Sequence, residues 1–284
     1  MNRDPTWTGE GITVLPVRIG PAGWIRVAFR GGALVTLTFG CLAILLLLRL
    51  VERPLYGLKR PWTPHIVQFV FRNAFRILGM GYNVHGERMD EPGAVVANHS
   101  SWLDIFALNA SKRVYFVAKD DVASWPAIGL AARSAGTVFI RRNARDAAAQ
   151  RKVLEDRLKI GHKLLFFPEG TSTDGLRVLP FKSTLFAALF ANSLREMLWV
   201  QPATVIYRAP PGETVRFYGW WGNMEFSNHL LKTLAAPKQG SVEVYWHAPL
   251  RVADFADRKA LAAASENAVR GPFDDPLTAP FSND

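Results

Sequence analysis

Ala94-Val95-Val96-Ala97-Asn98-His99-Ser100-Ser101-Trp102-Leu103-Asp104 runs four apolar residues into a histidine, two serines and then a helical pattern. Further on, Lys163-Leu164-Leu165-Phe166-Phe167-Pro168-Glu169-Gly170-Thr171 does the same thing: a short apolar run, then a turn shaped by proline and glycine. Short apolar runs of this kind, alternating with stretches of helical period, indicate an α/β domain. Working outward, strands are expected at Tyr82–His85, Ala94–Ala97, Val114–Ala118, Thr137–Ile140, Lys163–Phe167, Val200–Ile206, Thr214–Phe217 and Val242–Trp246. Helices are expected at Trp102–Asn109, Pro126–Ser134, Ala144–Lys159, Ser183–Ser193, Met224–Leu234 and Phe255–Val269. The fold class is α/β, a mixed β-sheet flanked by helices, preceded by an N-terminal membrane-binding helical region.

That N-terminal region reads differently from the rest. Gly31 to Leu48 is an uncharged run of 18 residues. As a helix it would extend about 27 Å, close to the ~30 Å hydrocarbon core of a bilayer. A buried core helix is the plainer alternative. Arg26 and Arg30 precede the run, and Arg49, Arg53, Lys59 and Arg60 follow it, so the positive-inside rule assigns no orientation. From Pro64 to Met80 the apolar residues recur at helical spacing among Gln68, Arg72 and Arg76, the pattern of an amphipathic interfacial helix; a helix packed only on the catalytic domain is the alternative. The division read from the chain is therefore residues 1–60 with a membrane helix at 31–50, an interfacial helix at 61–80, a catalytic-type domain at 81–270 and a flexible tail at 271–284.

Composition narrows the possible partners. The chain has 284 residues, 49% hydrophobic, with a net charge of +10. Ten Lys/Arg against three acids put +7 of that charge in residues 1–80. Basic charge flanking an apolar run points to an anionic membrane surface. Nucleic acid is not expected as a partner, because no nucleic-acid-binding motif accompanies the charge. The single cysteine, Cys41, lies in the apolar run, which excludes an internal disulfide and leaves a zinc-cysteine site unsupported. The other five histidines (His65, His85, His162, His229, His247) show no metal-ligand spacing.

His99 and Asp104 are five positions apart, about 500° on a regular helix and some 140° off the same face. They can meet only if His99 sits on the strand-to-helix turn and Asp104 in the first helical turn. The carboxylate would then hold one imidazole nitrogen and leave the other free to take a proton. A capping histidine beside a surface carboxylate is the alternative. Ser100 and Ser101 lack the Gly-x-Ser-x-Gly elbow of a serine hydrolase and are expected to cap the following helix with their hydroxyls.

These blocks, in this order and behind a hydrophobic segment, resemble the glycerolipid acyltransferase family that includes 1-acylglycerol-3-phosphate acyltransferases. The likeness runs over about residues 80 to 210. It implies acyl transfer from acyl carrier protein or acyl-CoA to a lysolipid hydroxyl, with His99 as the base and Asp104 as its orienter. No metal or bound cofactor is implied. Arg141, and Arg142 beside it, match a binder of the acceptor's phosphate; a solvated charge pair at a strand end is the alternative. Glu169, Gly170 and Thr171 match residues that bind the acceptor or hold the site, and Lys182 in Phe181-Lys182 matches a basic residue near the substrates. Gly170 and Gly175 also fit simple turn geometry. Val200-Gln201-Pro202-Ala203 matches a proline-centred strand of the family.

Ser172 stands where phosphatidate-forming relatives often carry arginine. The Glu-Gly-Thr block in its present form looks more like lyso-ornithine lipid acyltransferases of the same family. The resemblance thus implies O-acylation of lyso-ornithine lipid, with lysophosphatidate as a second acceptor, on the cytoplasmic side of a bacterial inner membrane. A dedicated 1-acylglycerol-3-phosphate acyltransferase, a lipid esterase and a non-catalytic membrane-binding protein remain the rivals. Leu185–Phe190 could line an acyl tunnel or form core. Trp220-Trp221 could anchor at an interface or pack.

Overall fold

The computed structural model describes residues 6–12, 17–125, 127–140, 146–191 and 194–280. Its strands are β1 (Gly81–His85), β2 (Gly93–Ala97), β3 (Tyr115–Lys119), β4 (Val138–Ile140), β5 (Leu164–Phe166), β6 (Trp199–Arg208), β7 (Ser241–Trp246) and β8 (Leu250–Arg251). They lie in the order β1-β7-β6-β2-β5-β3-β4, with β8 beside β6. Every pairing is parallel except β6 with β7 and with β8, so the sheet is mixed.

β2 is central and parallel to both neighbours, with Val95 opposite Leu165 on β5 and Gln201 on β6. A parallel strand covered on both faces has no solvent side, which is why β2 is apolar throughout and buried at all five residues. Alternation sends its side chains to two cores. Val95 and Ala97 join Phe75, Leu103, Leu108 and Leu234 on one face. Ala94 and Val96 join Leu154, Leu158 and Leu261 on the other. The first face is covered by α2 (Thr63–Leu78), α3 (Leu103–Ser111) and α6 (Phe226–Ala235). The second is covered by α5 (Ala147–Lys159) and α7 (Arg258–Asp274), and α4 (Ile128–Ala135) precedes β4.

Three segments differ from expectation. Thr214–Phe217 is a turn, because its polar backbone is satisfied locally: Phe217 N–H donates to Thr214 C=O (2.8 Å) and Gly219 N–H to Arg216 C=O (3.0 Å). Ser183–Ser193 holds a 3-10 turn at Leu185–Phe190, with Phe186, Ala188 and Leu189 buried as core; residues 192 and 193 lie outside the described residues. Helix α7 starts at Arg258, where the Asp257 carboxylate accepts the amides of Lys259 and Ala260, and it runs through Pro272 to Asp274. Beyond it, the Arg208 guanidinium donates to the carbonyls of Thr278 and Ala279.

The N-terminal helix is longer than expected, by ten residues at its start and six at its end. α1 runs from Pro21 to Tyr56, 36 residues, or about 54 Å. Arg26 and Arg30 lie inside it because they have other work: Arg26 Nε donates to Ala235 C=O (2.7 Å), and Arg30 donates to Leu234 and Ala236 C=O (3.0 and 2.6 Å). They satisfy the free carbonyls at the end of α6. At the other end of α1, buried Glu52 accepts the Trp62 and Thr63 amides and the Thr63 hydroxyl (2.7, 3.0 and 2.7 Å), which caps α2. Both ends of α1 are thus tied to one domain. Between the ties Phe29, Val35, Phe39, Ile44, Leu46, Leu47 and Leu50 face outward. The helix is long and apolar enough to cross a membrane, and only 11% of its most apolar window is buried, too little for a core helix.

Candidate active site

β2 delivers the site at its C-terminal end. Asn98 continues the strand with its side chain, donating Nδ2–H to Val205 C=O (2.9 Å) and accepting the Val205 amide on Oδ1 (2.8 Å). His99 follows, and residues 100–102 turn before α3 begins at Leu103. That turn brings the five-residue spacing onto one point: His99 Nδ1 lies 2.7 Å from Asp104 Oδ2.

Asp104 is fully buried, and donors surround it. Oδ2 also accepts the Ser100 and Ser101 amides (2.8 and 3.0 Å), and Oδ1 accepts the Tyr207 hydroxyl (2.7 Å). Burial, together with the Asp104 charge, pushes the Tyr207 phenol well above its usual range, so it stays a donor. The carboxylate can only accept, so Nδ1 carries the proton and Nε2 presents its lone pair. The His99 side chain is 20% exposed, and Nε2 has no partner among the described residues. Capping differs from expectation here. Asp104, not a serine hydroxyl, receives the two turn amides; among the described residues Ser101 Oγ accepts the Leu103 amide (3.3 Å), and Ser100 Oγ is buried with no partner.

The Phe167–Gly175 loop fixes the imidazole from the other side. Phe167 stacks on the His99 ring at 4.1 Å and 11°. Glu169 Oε1 accepts the His99 amide (2.6 Å), and Oε2 accepts the Leu179 amide (2.8 Å). Thr173 N–H donates to His99 C=O (2.9 Å). Glu169 is 1% exposed and both its oxygens are engaged, so of the two roles expected for it the geometry fits holding the site rather than binding an acceptor. Burial raises its pKa to about 8, against the pull of its two amide bonds. Gly170 makes the turn at φ +75°, a conformation that suits glycine.

The other expected residues spread around this centre. Thr171 Oγ1 accepts the Trp7 amide (3.2 Å), which draws the N-terminal segment against the loop. Ser172 is half-buried, and Lys182 is exposed with its amide on Pro168 C=O (3.0 Å). Arg141 and Arg142 lie outside the described residues. Sequence reasoning missed several neighbours: Tyr207, the Phe167 stack, the Asn98 bridge, and buried Asp174, which holds Arg177 and Arg216 (each 3.1 Å). Phe167 adjoined a recognised motif and was within reach. Tyr207 is 103 residues from Asp104, with no local signal of their contact.

The arrangement is an imidazole held by a buried carboxylate, and among the described residues no hydroxyl or thiol bonds to its free nitrogen. It can deprotonate a hydroxyl brought in by a substrate.

The chain matches the family model described as Acyltransferase over residues 81–205. It is 57% identical over 269 residues to the lyso-ornithine lipid O-acyltransferase of Rhodobacter capsulatus, covering 95% of this chain and 92% of that one. The 1-acyl-sn-glycerol-3-phosphate acyltransferase of Neisseria gonorrhoeae is 41% identical over 118 residues, 40% of this chain and 46% of that one. The crystal structure of the 1-acyl-sn-glycerophosphate (LPA) acyltransferase from Thermotoga maritima shares the fold, with a TM-score of 0.61 at 21% identity over 87% of this chain and 92% of that one.

Proposed function

The chain belongs to the acyltransferase family, and from that premise we propose that it moves a fatty acyl group from a thioester to the hydroxyl of lyso-ornithine lipid, forming ornithine lipid. Lysophosphatidate is the second acceptor. The observation that carries the reading is the His99–Asp104 pair with Nε2 open, in a chain 57% identical to a lyso-ornithine lipid O-acyltransferase.

His99 Nε2 takes the acceptor's hydroxyl proton as that oxygen attacks the thioester carbon. Asp104 holds the proton-bearing Nδ1 and stabilises the imidazolium that forms. The tetrahedral intermediate collapses, the C–S bond breaks, and the imidazolium returns its proton to the thiolate. Stacking on Phe167 and the two backbone bonds to Glu169 and Thr173 keep the ring from swinging away from the acceptor. A lipid esterase would need a covalent nucleophile, and neither Ser100 nor Ser101 reaches the imidazole with its hydroxyl.

The donor is acyl carrier protein or acyl-CoA. The domain sits on the cytoplasmic side of a bacterial inner membrane. Helix α1 anchors it by lying in one leaflet, since a helix tied at both ends to one domain does not pass through the bilayer away from it. Arg141, Arg142 and Lys182 bind the anionic substrate groups.

The test is turnover by the purified full-length protein in mixed micelles, with labelled acyl donor and either acceptor. Wild type forms ornithine lipid, and a correctly folded His99→Ala variant forms none. Asp104→Asn keeps its fold and loses about 10⁴-fold, as when a triad aspartate becomes asparagine. Near-normal turnover by His99→Ala would sink the mechanism.

A further inference from the structure

A shallow, open surface cleft of about 780 Å³ lies near the turn that carries His99. Its lining includes the aromatic rings of Trp125, Trp220 and Phe226, with Met224, Asn223 and Glu225. Trp220 N–H donates to Ser100 C=O (2.8 Å), next to the base. Phe226 meets Trp102 edge-on at 5.5 Å, and Trp102 follows Ser101 in the same turn. Two residues of the cleft's lining, Trp220 and Phe226, therefore rest on the turn that follows His99.

Its chemistry sets it apart from the rest of the chain. The net charge is +10, yet no lysine or arginine lines this cavity, and its one charged residue is Glu225. Glu225 is exposed; Oε2 accepts from Asn228 Nδ2 (2.9 Å), which orients the carboxylate, and Oε1 is unoccupied among the described residues. Aromatic faces beside a carboxylate attract an ammonium group and offer nothing to a phosphate. The position suits a lipid headgroup. The cavity opens at the start of α6, about 15 Å along that ten-residue helix from the carbonyls that Arg26 and Arg30 tie to α1.

We propose that Glu225, with the Trp220 and Trp125 faces, forms the subsite for the ammonium group of the acceptor's amino-acid headgroup. The inference rests on the acceptor reading above and deepens it. It places the choice between an ammonium-bearing and a phosphate-bearing acceptor at this wall as well as at Ser172. An acyl chain is the other occupant such aromatic walls could take, but it gives Glu225 no role.

The test is a cycle of enzyme and substrate changes. Steady-state kinetics are measured for wild type and Glu225→Gln, each with lyso-ornithine lipid, with the same lipid acetylated on its side-chain amine, and with lysophosphatidate. Lost pairing with a charged group raises KM for lyso-ornithine lipid about tenfold in Glu225→Gln. Acetylation raises KM by a similar factor in wild type and scarcely further in the variant. The lysophosphatidate KM stays level or falls, and the melting temperature does not move, because Glu225 is exposed. If acetylation costs both enzymes equally, or if Glu225→Gln handles lyso-ornithine lipid as wild type does, the subsite is wrong. A changed chain-length preference in Trp220→Ala with no headgroup effect would assign the cavity to an acyl chain. Wild-type failure to use lyso-ornithine lipid at all would instead overturn the acceptor reading, before any variant is compared.

Discussion

Replacing Glu169 separates a brace from a ligand. In Glu169→Ala the amides of His99 and Leu179 lose their acceptors in a buried place. Each orphaned amide costs about 1–3 kcal/mol, so the pair costs about 2–6 kcal/mol. Glu169→Gln keeps an acceptor for one amide and turns its NH2 toward the other. It also removes a burden that grows with pH. The folded-state pKa is raised to about 8 from an ordinary 4.5, so the native state holds this proton more tightly than the unfolded chain does. Stability is therefore lost as pH rises from about 5 to about 8, by up to ~1.4 kcal/mol per pH unit. Chemical denaturation at pH 5, 6, 7 and 8 reads this directly. The wild-type curve falls with rising pH, and the Glu169→Gln curve lacks that component. In both variants kcat drops, the more so in Ala, because the His99 backbone is loosened, while acceptor KM changes little. An Ala variant as stable as wild type, with intact kcat and a raised acceptor KM, would refute the brace and make Glu169 an acceptor ligand.

Tyr207→Phe removes the hydroxyl donor on Asp104 Oδ1, so a loss of about 1–3 kcal/mol in stability and a fall in kcat without a change in donor KM are expected from denaturation and initial rates. Glu52→Ala strips the cap from α2 and removes the carboxylate that pairs with Arg49; about 3–5 kcal/mol of destabilisation is expected, seen as protease cleavage near residues 57–62 before the domain is cut. Deleting residues 1–60 makes the protein extractable at high salt, and complete membrane retention of the truncated chain would show the anchor to lie elsewhere. Ser172→Arg adds a guanidinium beside the catalytic loop and shifts preference toward lysophosphatidate by about tenfold or more, read as the ratio of kcat/KM for the two acceptors.

Local signals carried much of the fold and half of the site. β2 was legible because a doubly covered parallel strand is apolar at every position, and α3 because the turn before it is short and polar. The His99–Asp104 contact was legible from the family resemblance of the two blocks; spacing alone left a capping histidine as the alternative. What failed was whatever depends on distant partners. Thr214–Phe217 has the composition of a strand, but its backbone bonds close locally, Phe217 to Thr214 and Gly219 to Arg216, and it forms a turn. The start of α1 was hidden by Arg26 and Arg30, whose charges end an apolar window although they serve α6's carbonyls. β8 is two residues long, too short for any period. Tyr207 reaches Asp104 only because β6 lies next to β2, an adjacency set by strand order.

The double attachment of α1 has a mechanical consequence. A float moored at one point can bob and roll; one lashed at bow and stern shares the attitude of its cargo. With Arg26 and Arg30 at one end of the helix and Glu52 at the other, the spacing between α1 and His99 is a fixed dimension of the protein, and so, with α1 in a leaflet as proposed, would be the height of His99 over the lipid surface. The depth at which an acceptor displays its hydroxyl then becomes a filter in its own right. Lengthening or shortening the acceptor's own hydrocarbon tail leaves that depth unchanged, whereas inserting a spacer between headgroup and hydroxyl moves the reacting oxygen out of register with the imidazole.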